Sequence, residues 1–249
     1  MPTFSQQKES KTVKSKENIF TNTIKKQGDK QISVAKHPEF AFQLPEMAGN
    51  LKFGVIVGDH SKWFSDTKQV RSEFKNNILT YRISDPILGK GSLTFNVISL
   101  SNTDGILIEV SGDRLPENTQ LLWAFGGAYG KLLNENDQPT LKPEFCKYNV
   151  FSVEWTAFTV YYGESMRLRV IQGVMPISSE IRLSDAHQQE SPLAFFNSGK
   201  KTDAPALAAT VPLENGGKDY FCIYKQNAQA DYNYYMLPEL FEKEISSNK

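Results

Sequence analysis

Hydrophobic and polar residues alternate with a period of two over much of the chain between residues 40 and 225. This is the period of a half-buried β-strand, in which successive side chains point to opposite faces of a sheet. The alternation is clearest over residues 93–97, 106–110, 158–162, 166–170 and 220–224. Further strands are predicted at 51–57, 78–83, 120–125, 150–155, 180–183 and 207–213.

Short turn sequences separate these runs, among them Ser84-Asp85-Pro86 and Glu214-Asn215-Gly216-Gly217. Strands joined by turns without helical crossovers indicate antiparallel pairing, which is usually completed by packing two sheets face to face. The one amphipathic helix is predicted at the C-terminus, with Pro238 in its first turn. We therefore predict an all-β fold, an antiparallel β-sandwich or supersandwich with a short C-terminal helix.

One segment departs from strict alternation, the run Leu-Leu-Trp-Ala-Phe-Gly-Gly-Ala-Tyr-Gly over residues 121–130. It predicts a buried strand that breaks into a glycine-rich corner, with Trp123 and Phe125 facing the core. The polar segment 187–205 is expected to be a long excursion from the sandwich, with a short strand at 193–196.

The 249 residues divide by composition into a lysine-rich tail and a sandwich domain. Residues 1–30 contain seven lysines and three acidic residues, a net charge of 7 − 3 = +4, and few apolar residues. Such a segment buries too little apolar surface to fold. We predict a disordered tail over residues 1–35 and a single β-sandwich domain over 36–249.

The bulk composition excludes several classes of protein. The chain has 28 basic and 28 acidic residues, so its net charge gives no reason to expect a nucleic-acid partner. No segment has the roughly 20 apolar residues that a membrane-spanning helix requires, and no secretory signal is evident in the first residues. Three dispersed histidines and two cysteines form no metal-ligand motif, so neither a metal nor another cofactor is expected.

The two cysteines, Cys146 and Cys222, lie among apolar and aromatic neighbours, where cysteine usually serves as a small core residue. The sequence leaves open whether they pair in a disulfide. A hydrolase with a nucleophilic serine is not indicated, since the chain has no G-x-S-x-G motif.

The segment from Gly58 to Asp66 combines a histidine, two carboxylates and a tryptophan in one loop. A tryptophan ring can cover the C–H face of a sugar, while carboxylates accept hydrogen bonds from its hydroxyl groups. Trp63, Asp59, Asp66 and His60 are therefore the candidate ligand-binding residues, with no catalytic residue assigned. In the simpler interpretation, which we favour, this is a polar inter-strand loop whose aspartates cap turns and whose Trp63 packs on the sandwich.

Several short segments together resemble an uncharacterised bacterial domain family. The segments are Pro38-Glu39-Phe40-Ala41-Phe42, Gly49-Asn50-Leu51-Lys52-Phe53-Gly54, Ser61-Lys62-Trp63, Ser84-Asp85-Pro86, Trp123-Ala124-Phe125-Gly126-Gly127-Ala128 and Leu141-Lys142-Pro143-Glu144-Phe145-Cys146. The family is a β-supersandwich at the N-terminus of large secreted proteins, usually followed by an (α/α)6 toroid of glycoside-hydrolase type. The resemblance covers about residues 36–240.

This chain departs from the family pattern at three points. It has His37-Pro38 where the family usually has Arg-Pro, and Pro45-Glu46-Met47-Ala48-Gly49-Asn50 in place of a glycine-rich turn. The lysine-rich tail replaces the upstream strands, and no toroid follows within these 249 residues. The resemblance implies that catalytic carboxylates sit in the toroid, so this chain is expected to lack a complete active site.

Three functional hypotheses follow. The first is a non-catalytic accessory domain of a carbohydrate-processing protein, with a glycan or a helical toroid glycosidase domain as its partner. The second is a stand-alone glycan-binding protein, and the third is a small glycoside hydrolase that uses Asp59 and Asp66. The chain alone does not fix its compartment, and the family resemblance implies a secreted or periplasmic protein.

Overall fold

A computed structural model describes residues 20–25, 31–44, 47–128, 139–147, 149–161, 171–199 and 201–247. In these residues the chain forms two antiparallel sheets of eight strands each. The first sheet contains β1 (Phe20–Lys25), β2 (Gln31–Ala35), β3 (Glu39–Leu44), β4 (Met47–Val57), β5 (His60–Trp63), β10 (Thr119–Gly126), β14 (Arg182–Asp185) and β15 (Pro205–Pro212). The second contains β6 (Val70–Lys75), β7 (Ile78–Ile83), β8 (Ser92–Ser99), β9 (Gly105–Asp113), β11 (Val150–Glu154), β12 (Ala157–Tyr161), β13 (Ile171–Val174) and β16 (Lys218–Lys225).

The strand order of each sheet follows from hairpins and a few longer connections. The first sheet runs β1-β2-β3-β4-β10-β15-β14, and β5 pairs with the second half of β4. The second sheet runs β11-β12-β13-β16-β9-β8-β7-β6, which places β11 and β6 at its opposite edges. The prediction of an all-β antiparallel sandwich is confirmed.

The inner faces of the two sheets form one large core. Phe53 of β4 lies edge-on to two rings of the second sheet, with centroid distances of 5.2 Å to Phe95 and 5.3 Å to Phe221. Trp123 of β10 stacks on Phe158 of β12 at 5.8 Å, and both are fully buried. The alternation seen in the sequence therefore places the apolar residues of these strands between the sheets, as expected for a sandwich.

The glycine-rich corner after β10 has the predicted conformation. Gly127 has a φ of 66°, and a β-carbon there would approach the carbonyl oxygen of Thr140 to 2.5 Å. A larger residue would therefore be strained and crowded at this position. Tyr129 and Gly130 lie outside the described residues, as does the predicted strand at 166–170.

The outer face of each sheet carries a smaller apolar layer. Over the first sheet lie α1 (Pro143–Cys146) and α2 (Pro192–Asn197), with Leu141, Cys146 and Phe195 buried against β10 and β15. Over the second sheet lies α3 (Leu237–Ser247), the predicted C-terminal helix, which buries Leu237 and Phe241. Among the described residues, no helix is long and apolar enough to cross a membrane.

The structure corrects the prediction of a strand at 193–196. These residues belong to α2, which begins after Ser191. The Ser191 hydroxyl accepts a hydrogen bond from the Ala194 amide at 3.1 Å, and Pro192 occupies the first turn. A serine cap followed by proline favours a helix start, and this local signal outweighs the short apolar run.

The structure describes two strands within the segment that the sequence predicts to be a disordered tail, residues 1–35. Residues 20–25 and 31–35 form β1 and β2, which continue the first sheet beyond β3. Ile32 and Val34 are buried in the main core, where they add apolar surface that offsets the polar composition of the segment. Residues 1–19 lie outside the described residues, and the division into one tail and one domain stays a prediction.

Candidate functional site

The loop with the candidate ligand-binding residues begins at the hairpin between β4 and β5. Gly58 opens the two-residue turn with a φ of 57°, and Val57 pairs with His60 to close it. Asp59 and His60 are exposed at this tip. Together with Ser61 and four residues at the start and end of α2, they line an open surface depression of about 500 Å³.

The depression is polar on the hairpin side and mixed on the helix side. Leu193, Ala194, Ser191 and Asn197 supply the helix side, and the Leu193 amide donates a hydrogen bond to the Ser61 hydroxyl at 3.1 Å. The carboxylate of Asp59, the imidazole of His60 and the amide of Asn197 are all groups that bind hydroxyl-rich ligands. Among the described residues, no phenylalanine, tyrosine or tryptophan lines this depression.

Trp63 does not offer an open ring face to a ligand. It is only 2% exposed, and its indole N–H donates to the backbone carbonyl of Gln189 at 2.9 Å. Phe195 of α2 packs edge-on at 5.6 Å, and the Lys52 ammonium lies 4.5 Å from the centre of the indole ring. Trp63 therefore anchors α2 and its preceding loop to the first sheet.

Asp66 is separated from Asp59 by the whole of β5. The register pairs Val57 with His60 and Gly54 with Trp63, so β5 is fully extended between the two aspartates. At about 3.3 Å per residue, the strand alone spans about 10 Å. Carboxylates that act together on a glycosidic bond are roughly 5–9.5 Å apart. This geometry does not support a hydrolase built on Asp59 and Asp66.

Asp66 contributes instead to a charged group on the outer face of the first sheet. Burial raises the pKa of Glu39 and lowers the pKa of Lys52, whereas the opposite charges of the two groups, which are cross-strand partners, counteract both shifts. Asp66 also favours the charged form of Lys52. The Asn50 amide donates to Glu39 at 3.0 Å and to the Pro139 carbonyl at 3.2 Å. These contacts link β3, β4 and the segment that leads into α1.

The segments that carry the family resemblance meet one another in space. Glu39, in segment 38–42, accepts a hydrogen bond from Asn50, in segment 49–54. Lys62, in segment 61–63, forms a 2.8 Å ion pair with Asp85, in segment 84–86. Asp85 also accepts the Ile87 amide at 3.2 Å and so caps a short 3₁₀ turn. These polar residues therefore make contacts between elements of the fold, which is a structural role that requires no reaction.

The two cysteines are free and buried in different layers. Cys146 lies in the layer outside the first sheet and Cys222 in the layer outside the second, so they do not pair. Burial raises the pKa of Cys146 to about 12 and also raises that of Cys222. Both thiols are therefore protonated at neutral pH and unsuited to nucleophilic attack.

The histidines are equally dispersed in the structure. His187 pairs with Asp203 at 2.9 Å on the surface, and burial together with Lys36 lowers the pKa of His37. Within the described ranges, no three His, Cys, Asp or Glu side chains are grouped so that they could hold a metal ion.

Sequence reasoning missed the most exposed tryptophan, Trp155. It lies at the tip of the β11–β12 hairpin, is 65% exposed and has a φ of 53°. The signal was present in the sequence, since Trp155 and Thr156 separate two alternating runs by two residues, the spacing of a tight hairpin. A tryptophan in the left-handed region costs on the order of 1–2 kcal/mol.

Comparisons with known proteins agree with the fold. The fold of this chain is similar to part of the crystal structure of a bacterial glucoamylase complexed with acarbose, with a TM-score of 0.53 and 11% sequence identity. The match covers 95% of this chain and 39% of the glucoamylase chain, so this chain spans about two fifths of that protein. No curated protein matches the sequence. The profile of DUF4450, a domain of unknown function, matches residues 44–244, and the chain belongs to this family.

Proposed function

We propose that this chain is a non-catalytic β-sandwich domain of a carbohydrate-processing protein, and that it works beside a helical domain of glycosidase type. The observation that carries the proposal is the likeness to the glucoamylase. Nearly all of this chain matches, while 61% of the glucoamylase (100 − 39) has no counterpart in it. A fold shared at this level supports a common domain architecture, and the function is proposed by analogy with that architecture.

The arrangement of reactive groups supports the non-catalytic part of the proposal. The two aspartates of the β4–β5 region stand at opposite ends of β5, and both thiols are buried and protonated. Glu39 is buried beside Lys52 and Asn50, where it links strands and does not face the depression. None of these groups combines the access and spacing that glycoside hydrolysis requires.

The experiment tests both parts of the proposal. The DNA that flanks the coding region of this chain is sequenced, and a helical glycosidase-type segment found there is expressed with and without the sandwich. We expect the two to elute as one complex in size-exclusion chromatography, with hydrolysis of soluble starch or xylan confined to the helical part. Release of sugar by the sandwich alone, or the absence of any such segment, would overturn the proposal.

A further inference from the structure

The turn of the β11–β12 hairpin carries a tryptophan, Trp155, at a position that usually favours glycine. Its turn is closed by the Glu154–Ala157 pair, just as the β4–β5 turn is closed by the Val57–His60 pair. The first turn residue is in the left-handed region in both hairpins, but it is Gly58 in one and Trp155 in the other. Such a position favours glycine or asparagine. Trp155 therefore occupies it against the conformational preference of its own backbone.

The tip that carries Trp155 is held firmly. Five consecutive residue pairs join β11 to β12, and the carbonyl of the buried Thr156 accepts a hydrogen bond from the Met175 amide at 2.9 Å. The indole ring is therefore an exposed apolar surface on a fixed support. The other two tryptophans of the chain, Trp63 and Trp123, are buried.

The outer face of the hairpin carries a row of polar side chains, with the exposed Trp155 at the tip of the hairpin. The outer face includes three cross-strand neighbours on β11, β12 and β13, about 5 Å apart, namely Ser152, Thr159 and Gln172. The Gln172 side-chain oxygen accepts a hydrogen bond from the Tyr224 hydroxyl, so its NH₂ group is the part that can donate to a ligand. Glu154 stands exposed on the same face, one step nearer the tip. At the other end of the face lies Tyr161, opposite Val150 and also exposed.

Trp155 and Tyr161 thus flank a row of hydrogen-bonding groups, over a span of about 15 Å. We infer that this outer face of the hairpin, which we call the hairpin face (Ser152, Glu154, Trp155, Thr159, Tyr161 and Gln172), binds an extended polysaccharide chain. Aromatic rings cover the C–H faces of sugar residues, and the hydroxyl, amide and carboxylate groups between them bind sugar hydroxyls. A protein-docking patch would be expected to have an apolar centre in place of this polar row.

The choice of a polysaccharide rests in part on the proposed function, whereas the location rests on the hairpin itself. The hairpin face lies on the second sheet, away from the depression at Asp59 and His60, which belongs to the first sheet. The polysaccharide site and the association with a helical domain are tested by different experiments, so either can be disproved without the other. Binding is measured on this chain alone, and association with a helical domain is measured without any glycan.

The test uses affinity electrophoresis of the full chain in native gels that contain soluble starch, xylan or mixed-linkage β-glucan. We expect at least one polysaccharide to retard the wild type, and Trp155→Gly to weaken that binding about tenfold or more. Trp155→Gly suits the backbone, so its melting temperature should equal or exceed that of the wild type. Phe74→Ala is the matched control, because Phe74 is 63% exposed on β6 at the opposite edge of the same sheet. It should bind like the wild type, as should Asp59→Asn in the depression.

Intrinsic fluorescence gives an independent measure. Acrylamide reaches Trp155 but not the two buried tryptophans, so the retarding polysaccharide should protect the wild type from quenching and leave Trp155→Gly unchanged. The inference is overturned if none of the three polysaccharides retards the wild type, or if Trp155→Gly is retarded equally. It is also overturned if Trp155→Gly only converts a dimer to a monomer in light scattering, which would make the hairpin face a contact between protein chains.

Discussion

At the scale of single residues, the structure separates the three tryptophans by role. The sequence predicted the environment of Trp123 correctly, because alternation and the following glycines mark a buried strand. The sequence could not decide whether Trp63 is buried or exposed, because the polar loop that contains it gives no sign of the helix that packs over the ring. What covers Trp63 is Phe195, which is 132 residues further along the chain (195 − 63). Contacts of this range do not appear in local patterns.

Trp63→Ala should destabilise the protein by about 3–5 kcal/mol, the usual cost of removing a large buried aromatic side chain. The substitution also removes the indole hydrogen bond to Gln189 and the ring beneath Lys52. Urea unfolding followed by circular dichroism measures the change. Trp155→Ala is the matched control and should alter stability by less than about 1 kcal/mol, because that side chain is exposed. Equal losses at both positions would contradict the assignment of roles.

Asp219 should make stability depend on pH. Burial, and next the nearby charge of Glu214, raise its pKa from 3.8 to about 6 in the folded protein. Between these values the unfolded chain loses its proton first, so the contribution of this group to stability is full below pH 3.8 and is lost as pH rises through 6. Asp219→Asn should therefore gain about 2 kcal/mol relative to the wild type at pH 7 and nothing at pH 3.5.

Urea unfolding at pH 3.5, 5 and 7 checks this dependence on Asp219. A constant difference between Asp219→Asn and the wild type across the three pH values would show that Asp219 acts through packing and not through its charge.

At the scale of elements, alternation predicted strands well where one face is buried and the other is wet. It placed the segments of β7, β8, β9, β12 and β16 and the glycine corner after β10. It failed where another signal competed. Lysine-rich surroundings hid β2, which contributes only Ile32 and Val34 to the core, and an apolar run hid the start of α2 at Ser191. Charge composition reports only on the isolated segment. In the folded protein β2 pairs with β3 at the edge of the sheet, and this pairing allows the segment to form a strand.

Strand β2 should contribute measurably to stability, although it lies in the segment predicted to be a disordered tail. Val34→Ala removes two buried methyl groups from the main core and should cost about 2 kcal/mol. Chemical denaturation measures the loss. Lys36→Ala, at an exposed position just after the strand, is the control and should be nearly neutral. A cost below about 0.5 kcal/mol for Val34→Ala would mean that β2 does not pack on the sandwich in solution.

At the scale of the whole molecule, a two-sheet sandwich carries an added layer on the outer face of each sheet. Polar contacts join elements of the sandwich, since Asn50 of β4 binds Glu39 of β3 and Lys62 of β5 pairs with Asp85 at the start of a 3₁₀ turn. Among the described residues, neither the depression at Asp59 nor the hairpin at Trp155 assembles a pair of reacting carboxylates. These features agree with the proposed role of a non-catalytic domain.

The central proposal is that this chain is a domain of a carbohydrate-processing protein and does not itself cleave glycosidic bonds. The most direct measurement is the release of reducing sugar from soluble starch, xylan and mixed-linkage β-glucan by the purified chain. We predict a rate equal to that of buffer, and the same rate for Asp59→Asn. Sugar release well above buffer that is lost in Asp59→Asn would contradict the account and place catalysis in this sandwich.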